Sequence, residues 1–325
     1  MAIQALLYAA DAPDQTPDLA TMVIDSLDAR QLLWIDLSSP TAEEILQIGK
    51  LTGCSREVLK VMDSADARPS LANYSAVFRV TARAVMLHSG NARLDKQNVT
   101  LIAGPNYVIT LHEAEIDFVH ELRNREKGDS SIGALSSESF VASLLDWLLN
   151  SYFRAVEELV RDIDRVEVTI LGKKAPPELY QVLVAARQRI AELRRLLTSH
   201  RDVFYGLSRP DFMATEQPEA KPHFEALNLR YERVEDELDN ARNLVIGSFE
   251  LLSARAAQKT NETMRALTFV TVLMGSLALI AGVMGMNFEL GFFRSGLSGF
   301  LIVTGSMVVF SAAAIWLARK RSWIG

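Results

Sequence analysis

One cysteine, Cys54, is the only thiol in this 325-residue sequence. Without a second cysteine it closes no disulfide within the chain and completes no thiolate metal site. That usage fits a reducing compartment, and Cys54 is expected to serve as a small buried side chain. The five histidines, His88, His112, His120, His200 and His223, are scattered and not set at ligand spacing, and no phosphate-cradling glycine loop is present. An enzyme reading therefore has nothing to carry it, and no ATP-binding loop of that kind is present in the sequence. No basic run interleaved with aromatics occurs and the formal charge is −6, which argues against nucleic acid as a partner. The first residues, MAIQALLYAADAPDQ, lack a basic leader and are interrupted by Asp11 and Asp14. A secretory signal is not expected, and the N-terminus is expected to stay in the cytoplasm.

Charge is absent from two long runs near the end of the sequence. Residues 267–286 read LTFVTVLMGSLALIAGVMGM and residues 297–318 read LSGFLIVTGSMVVFSAAAIWLA. Each is long enough to cross a hydrocarbon core of roughly 30 Å at about 1.5 Å per residue. Buried helices of soluble proteins rarely run wholly uncharged for two consecutive elements. The ten residues between them, 287–296, make the pair a helical hairpin whose outer ends share one side of the membrane. Arg255, Lys259 and Arg265 precede the first run and Arg319, Lys320 and Arg321 follow the second, whereas the connecting loop carries only Arg294. By the positive-inside rule both termini are cytoplasmic and the loop faces outward, with Trp316 and Trp323 placed as inner interfacial anchors.

Residues 1–130 contain strand-like runs at 32–37, 74–87 and 99–112, the last broken by the turn Gly104-Pro105-Asn106. A helix is expected over 41–53, opened by Ser39-Pro40-Thr41 and closed on Gly53, with a second helical pattern after Cys54. Residues 131–221 carry two apolar-periodic stretches read as an antiparallel helical hairpin. One runs to Gly172, and the other, about 177–207, has a stripe of Leu179, Val182, Leu183, Ala186, Ile190, Leu193 and Leu197. From Pro222 to Met286 no further proline appears; one helix of that length would be roughly 97 Å long. Its charged part, 222–266, is expected to be a stalk bundled against copies of itself. The fold class is thus an α+β cytoplasmic domain followed by long helices and a two-helix transmembrane hairpin, ending in a basic tail at 319–325.

At the outer end of the first run stands Gly285-Met286-Asn287. A G-M-N motif closing the first of two C-terminal membrane helices, followed by a short loop, a second helix and a basic tail, resembles the CorA family of divalent cation channels. Trp34-Ile35-Asp36-Leu37, Arg68-Pro69 and the run Tyr107 to His112 look like stretches of that family's cytoplasmic domains. The resemblance implies a homopentamer in the lipid bilayer of the inner membrane, with the first membrane helix lining the pore and the second forming an outer ring. Five copies of Asn287 and of the Gly285 carbonyl would present neutral oxygens to a hydrated divalent ion. The same pair also makes an ordinary helix C-cap.

Thr271, Gly275, Ala278 and Gly282 follow one another at spacings of four, three and four, so they lie along one helix face, suited to pore lining or to close helix packing. By the resemblance, Leu267 and Met264 are a hydrophobic gate with Asn261 beneath. Glu289 alone is left to attract cations, since the loop lacks the family's Met-Pro-Glu segment. Gly275 and Ala278 stand where family members often carry methionine and threonine. Asp63, Asp66, Glu235, Asp236, Glu237 and Asp239 are the residues available for a regulatory metal site, and Arg319 to Arg321 for a cationic ring at the inner mouth. The expected cargo is magnesium, with cobalt or nickel. A zinc transporter of the ZntB type, possibly proton-coupled, and a membrane anchor without transport are the alternatives. No cofactor is expected.

Overall fold

The computed structural model describes residues 3–28, 30–60, 68–74, 77–87, 94–125, 132, 135–172, 176, 178–209, 211–212, 220–286 and 296–321. The chain divides into two compact units, Met1–Val168 with Pro176–Gly247 and Thr169–Ala175 with Ser248–Gly325.

The first unit holds one sheet of seven strands: β1 (Ile3–Ala9), β2 (Ala12–Gln15), β3 (Gln31–Ser38), β4 (Ser70–Tyr74), β5 (Val77–Leu87), β6 (Leu94–Gly104) and β7 (Tyr107–His112). Their order is β2-β1-β3-β7-β6-β5-β4, antiparallel throughout except where β3 lies parallel to β7. These two central strands read as nearly unbroken apolar runs, and they are buried on both faces as such runs require. One face of the sheet packs Leu33, Ile35, Leu37, Ile109 and Leu111 against Ile48 of α1 (Ala42–Thr52). On the other, Trp34 meets Phe140 of α3 (Ser137–Leu171) edge to face at 5.4 Å.

Three local devices fix this sheet. Thr41 and Glu44 form a reciprocal capping box at the start of α1, and Gly53 ends the helix in the left-handed region at φ 69°. Between β6 and β7 the turn needs Asn106 at φ 57°, and a side chain at Gly104 would collide with the Tyr107 ring. Asp36 is buried on β3 and accepts from the Thr110 hydroxyl of β7, from Arg123 of α2 (Asp117–Arg125), and from His112 Nε2 at 2.9 Å. A buried carboxylate is tolerated because its oxygens find donors on every side. Cys54 is half-buried, its Sγ 3.2 Å from the Tyr107 hydroxyl.

The helical stretch expected at 177–207 is two helices, α4 (Leu179–Thr198) and α5 (Arg201–Ser208), broken at Ser199 and His200. Beyond the end of β4, the β5 edge would leave the N–H and C=O of Arg83 unpaired. His200 Nε2 accepts the Arg83 N–H at 2.8 Å, and the Tyr152 hydroxyl of α3 donates to the Arg83 carbonyl at 2.9 Å. Breaking the helix delivers the imidazole to this edge. Val182, expected in the buried stripe of α4, is instead 45% exposed, while its other six members are buried. Residues 55–60, expected to be helical, form a turn, and 61–67 lie outside the described residues.

The last helix of this unit is the first part of α6 (Lys221–Met284), a single helix of 64 residues that bears out the proline-free reading. Its buried stripe, Phe224, Leu227, Tyr231, Val234, Leu238, Ala241 and Val245, alternates steps of three and four. That spacing keeps one seam turned to neighbouring helices.

His200 makes the stability of this unit depend on pH. Burial strips the imidazolium of water and pushes His200 down to about 4 from an ordinary 6.5; the Leu196 carbonyl, which accepts from Nδ1 at 2.8 Å, opposes that shift in part, and the Arg83 charge adds to it. The unfolded chain binds that proton from about pH 6.5 downward, whereas the folded chain refuses it until about pH 4. The contribution is complete above pH 6.5 and is lost as pH falls, by about 3 kcal/mol in all. Denaturation followed by tryptophan fluorescence should show stability falling between pH 6.5 and 4, with a flatter profile in His200→Gln.

Candidate functional site

The second unit contains the remainder of α6 and α7 (Leu297–Lys320). Both have apolar windows long enough to cross a membrane, with mean hydropathies of 2.2 and 2.1, and neither window is buried within the chain. The partial burial that exists is not random. On α6 it falls on Ala266, Phe269, Leu273, Ser276, Leu277 and Ile280, and on α7 on Gly299, Val303, Met307, Ser311, Ala314 and Ala318. At about 100° per residue each set collapses onto one narrow stripe. Among the described residues these are the two span-length helices of the unit, and each carries one such partly covered stripe.

Projected the same way, Asn261, Met264, Leu267, Thr271, Gly275, Ala278 and Gly282 fall on the side of α6 roughly opposite its covered stripe, and all of them are exposed. The chain thus leaves uncovered the face picked out in the sequence. Thr271 donates its hydroxyl to the Leu267 carbonyl at 2.9 Å. Its oxygen therefore turns only acceptor lone pairs outward. A methyl group at Gly275 or Gly282 would meet nothing within 4 Å, and one at Gly285 only ordinary contacts with the Ala281 and Gly282 carbonyls at 3.4 and 3.5 Å. The fold of the single chain does not require these glycines.

The helix ends at Met284, and Gly285 N–H closes it by donating to the Ala281 carbonyl at 2.9 Å while Met286 N–H donates to Val283 at 3.3 Å. Gly285 and Met286 are exposed at that end, while Asn287 and Glu289 lie outside the described residues. At the other end of the hairpin the three tail cations part company. Arg321 projects on the covered side of α7, whereas Arg319 and Lys320 project away from it, Lys320 Nζ lying 5.1 Å above the Trp316 ring. Trp323 lies outside the described residues.

The described acidic residues considered for a regulatory metal, Glu235, Asp236, Glu237 and Asp239, gather into no ligand set among the described residues. Glu235 accepts from the Tyr231 hydroxyl at 3.0 Å and Asp239 pairs with Arg194 at 3.0 Å. Asp236 is exposed, and Asp63 and Asp66 lie outside the described residues. Among the described residues no cluster of three or more His, Cys, Asp and Glu side chains could hold a metal. Glu237 lines a cleft of about 930 Å³ between α3 and α6, with Asp146, Asn150, Phe153, Glu157, Arg230 and Arg233. Sequence reading did not find this cleft, because it arises from two helix faces far apart in the chain. Desolvation raises the Asp146 carboxyl above its ordinary range, offset in part by Arg230, whose Nε is 3.0 Å away. Arg230 also lies 5.6 Å over Phe153, so this cleft is knitted by its own charges.

Residues 29–320 match the family model described as CorA-like Mg2+ transporter protein. The cobalt/magnesium transport protein CorA of Thermotoga maritima is 24% identical over 304 residues, covering 93% of this chain and 86% of that protein. The zinc transport protein ZntB of Pectobacterium carotovorum is also 24% identical, over 311 residues and 92% and 90% of the two chains. The solved complete structure of the CorA magnesium transporter from Methanocaldococcus jannaschii superposes with a TM-score of 0.71 at 20% identity, covering 98% of each chain.

The two faces of α6 should respond differently to substitution. Gly275→Ala and Gly282→Ala should leave the thermal stability of the dissociated chain in detergent, followed by circular dichroism, within about 0.5 kcal/mol of the parent. Leu277→Ala, on the covered stripe, should cost on the order of 1 to 2 kcal/mol in the same measurement.

Proposed function

Because the chain belongs to the CorA-like Mg2+ transporter family, we propose that it carries divalent metal cations across the cell's inner membrane, as a homopentamer whose pore is lined by the uncovered face of α6. The observation that carries this reading is the opposition of the two α6 faces. One is partly covered within the chain, and the other bears small or acceptor-only positions that the chain itself leaves open. Five copies arranged with α7 outward would turn that face to a common axis. The G-M-N segment, Gly285, Met286 and Asn287, would then ring the outer mouth, with both termini in the cytoplasm and Glu289 in the external loop drawing cations toward it.

Every donor assigned to this path is oxygen: the Thr271 hydroxyl, the Gly285 carbonyl, and the amides of Asn287 and Asn261. Residues 248–325 contain no cysteine and no histidine. Magnesium is a hard ion that keeps its waters and suits such ligands, while zinc prefers thiolate and imidazole. Magnesium is therefore the first cargo, with cobalt and nickel as ions admitted by the same hydrated route. Met264 and Leu267 form the hydrophobic constriction below, which closes the path by dewetting. The zinc reading draws on the equal 24% identity to a zinc transport protein. It requires uptake that follows an imposed proton gradient.

Proteoliposomes loaded with an ion-sensitive dye test the proposal. The intact chain should admit magnesium, cobalt and nickel without a pH gradient. Asn287→Ala should lower the rate about tenfold, as expected for losing oxygen contacts of about 1.5 kcal/mol at the mouth. Gly285→Ala, which the single chain accommodates, should also slow uptake. Uptake unchanged in both variants removes these residues from the path, and zinc uptake that appears only with a proton gradient favours the second reading.

A further inference from the structure

The covered stripe of α7 also says which way the cytoplasmic end of that helix faces. Gly299, Val303, Met307, Ser311, Ala314 and Ala318 mark the side that the chain covers in part. Counting round the helix from Ala318, Trp316 lies almost diametrically across from that stripe, and Arg319 and Lys320 flank Trp316 on its two sides. Arg321 falls back on the stripe side. The same outward face carries Ile302 and Val309, exposed by 63% and 69%. It is therefore an apolar strip ending in one indole and two cations. Trp316 itself is 61% exposed and has the Lys320 ammonium 5.1 Å over its ring.

We propose that Trp316, Arg319 and Lys320 form a binding site for the phosphate headgroup of an anionic phospholipid on the outer face of α7. This rests on the reading of α7 as a membrane span. The occupant is fixed by what adjoins the site. The apolar strip leading to it is a surface for acyl chains, and a lipid alone supplies acyl chains and a negative phosphate in one molecule. An indole at the end of a span sits at headgroup depth, and cations one turn further on reach phosphate oxygens while their stems stay along apolar surface. Lys320, held over the indole, presents its ammonium at that depth. Arg319 on the other flank offers a planar fork suited to two phosphate oxygens. Two of the three tail cations are thereby committed to lipid, and Arg321 is the one left facing the inner mouth of the pore.

The test uses the full chain carrying Trp323→Phe, reconstituted in nanodiscs with phosphatidylcholine or phosphatidylglycerol brominated on the acyl chains. Bromine quenches only tryptophan at membrane depth, and Trp34 and Trp147 lie far from the apolar spans in sequence. Half-maximal quenching of Trp316 should need about fivefold less of the anionic lipid than of the neutral one, the preference expected from one surface cation or more. Arg319→Gln with Lys320→Gln should abolish the preference while leaving quenching by the neutral lipid intact. Arg321→Gln should retain it. Equal quenching by the two lipids in the parent overturns the proposal. So does a preference that survives the double variant, one lost on Arg321→Gln alone, or one erased by added inorganic phosphate. Absence of quenching by either lipid would remove the span itself, an outcome distinct from loss of selectivity.

Discussion

A helix inside a bilayer has no water to satisfy what its own chain leaves bare, and α6 is covered by its chain on one side only. Ala266, Phe269, Leu273, Leu277 and Ile280 are partly covered, while Thr271, Gly275, Ala278 and Gly282 are exposed. In lipid alone there would be no reason to place a hydroxyl, two glycines and an alanine on the open side, since long apolar side chains solvate better there. The open side is explained when further copies of the chain supply the missing neighbour and a water-filled axis receives the polar atoms. The proposals made for the mouth, the constriction and the outward face of α7 all depend on that asymmetry.

The first unit shows how the chain affords a helix as long as α6. The heptad-like seam from Phe224 to Val245 is packed within the unit, and the sheet beside it is closed at an exposed edge by His200 and Tyr152. The buried Asp36 ties β3, β7 and α2 together through donors from each. These are features of a rigid platform. A cluster of three or more His, Cys, Asp and Glu side chains that could hold a metal is not among them in the described residues.

Much of this was legible in the residues. The uncharged runs, the proline-free stretch and the G-M-N position give the hairpin and the long helix, because membrane length and backbone breaking are properties of short segments. The parallel pairing of β3 with β7 joins two segments singled out for family resemblance, Trp34 to Leu37 and Tyr107 to His112, yet no local pattern announces that they are neighbours. The break at Ser199 and His200 was invisible for the same reason. Nothing in RRLLTSHRDVF stops a helix; the break delivers His200 to the Arg83 N–H, more than a hundred residues away in the chain. The exposure of Val182 and the cleft between α3 and α6 are likewise products of packing.

Disulfide formation between copies in native membranes tests the central asymmetry most directly. In a Cys54→Ser background, Thr271→Cys should cross-link one chain to another on mild oxidation, because its face meets its counterparts around a common axis. Leu277→Cys, on the partly covered stripe, should not. Cross-linking through Leu277→Cys with none through Thr271→Cys would place the wrong side of α6 at the axis and contradict the account.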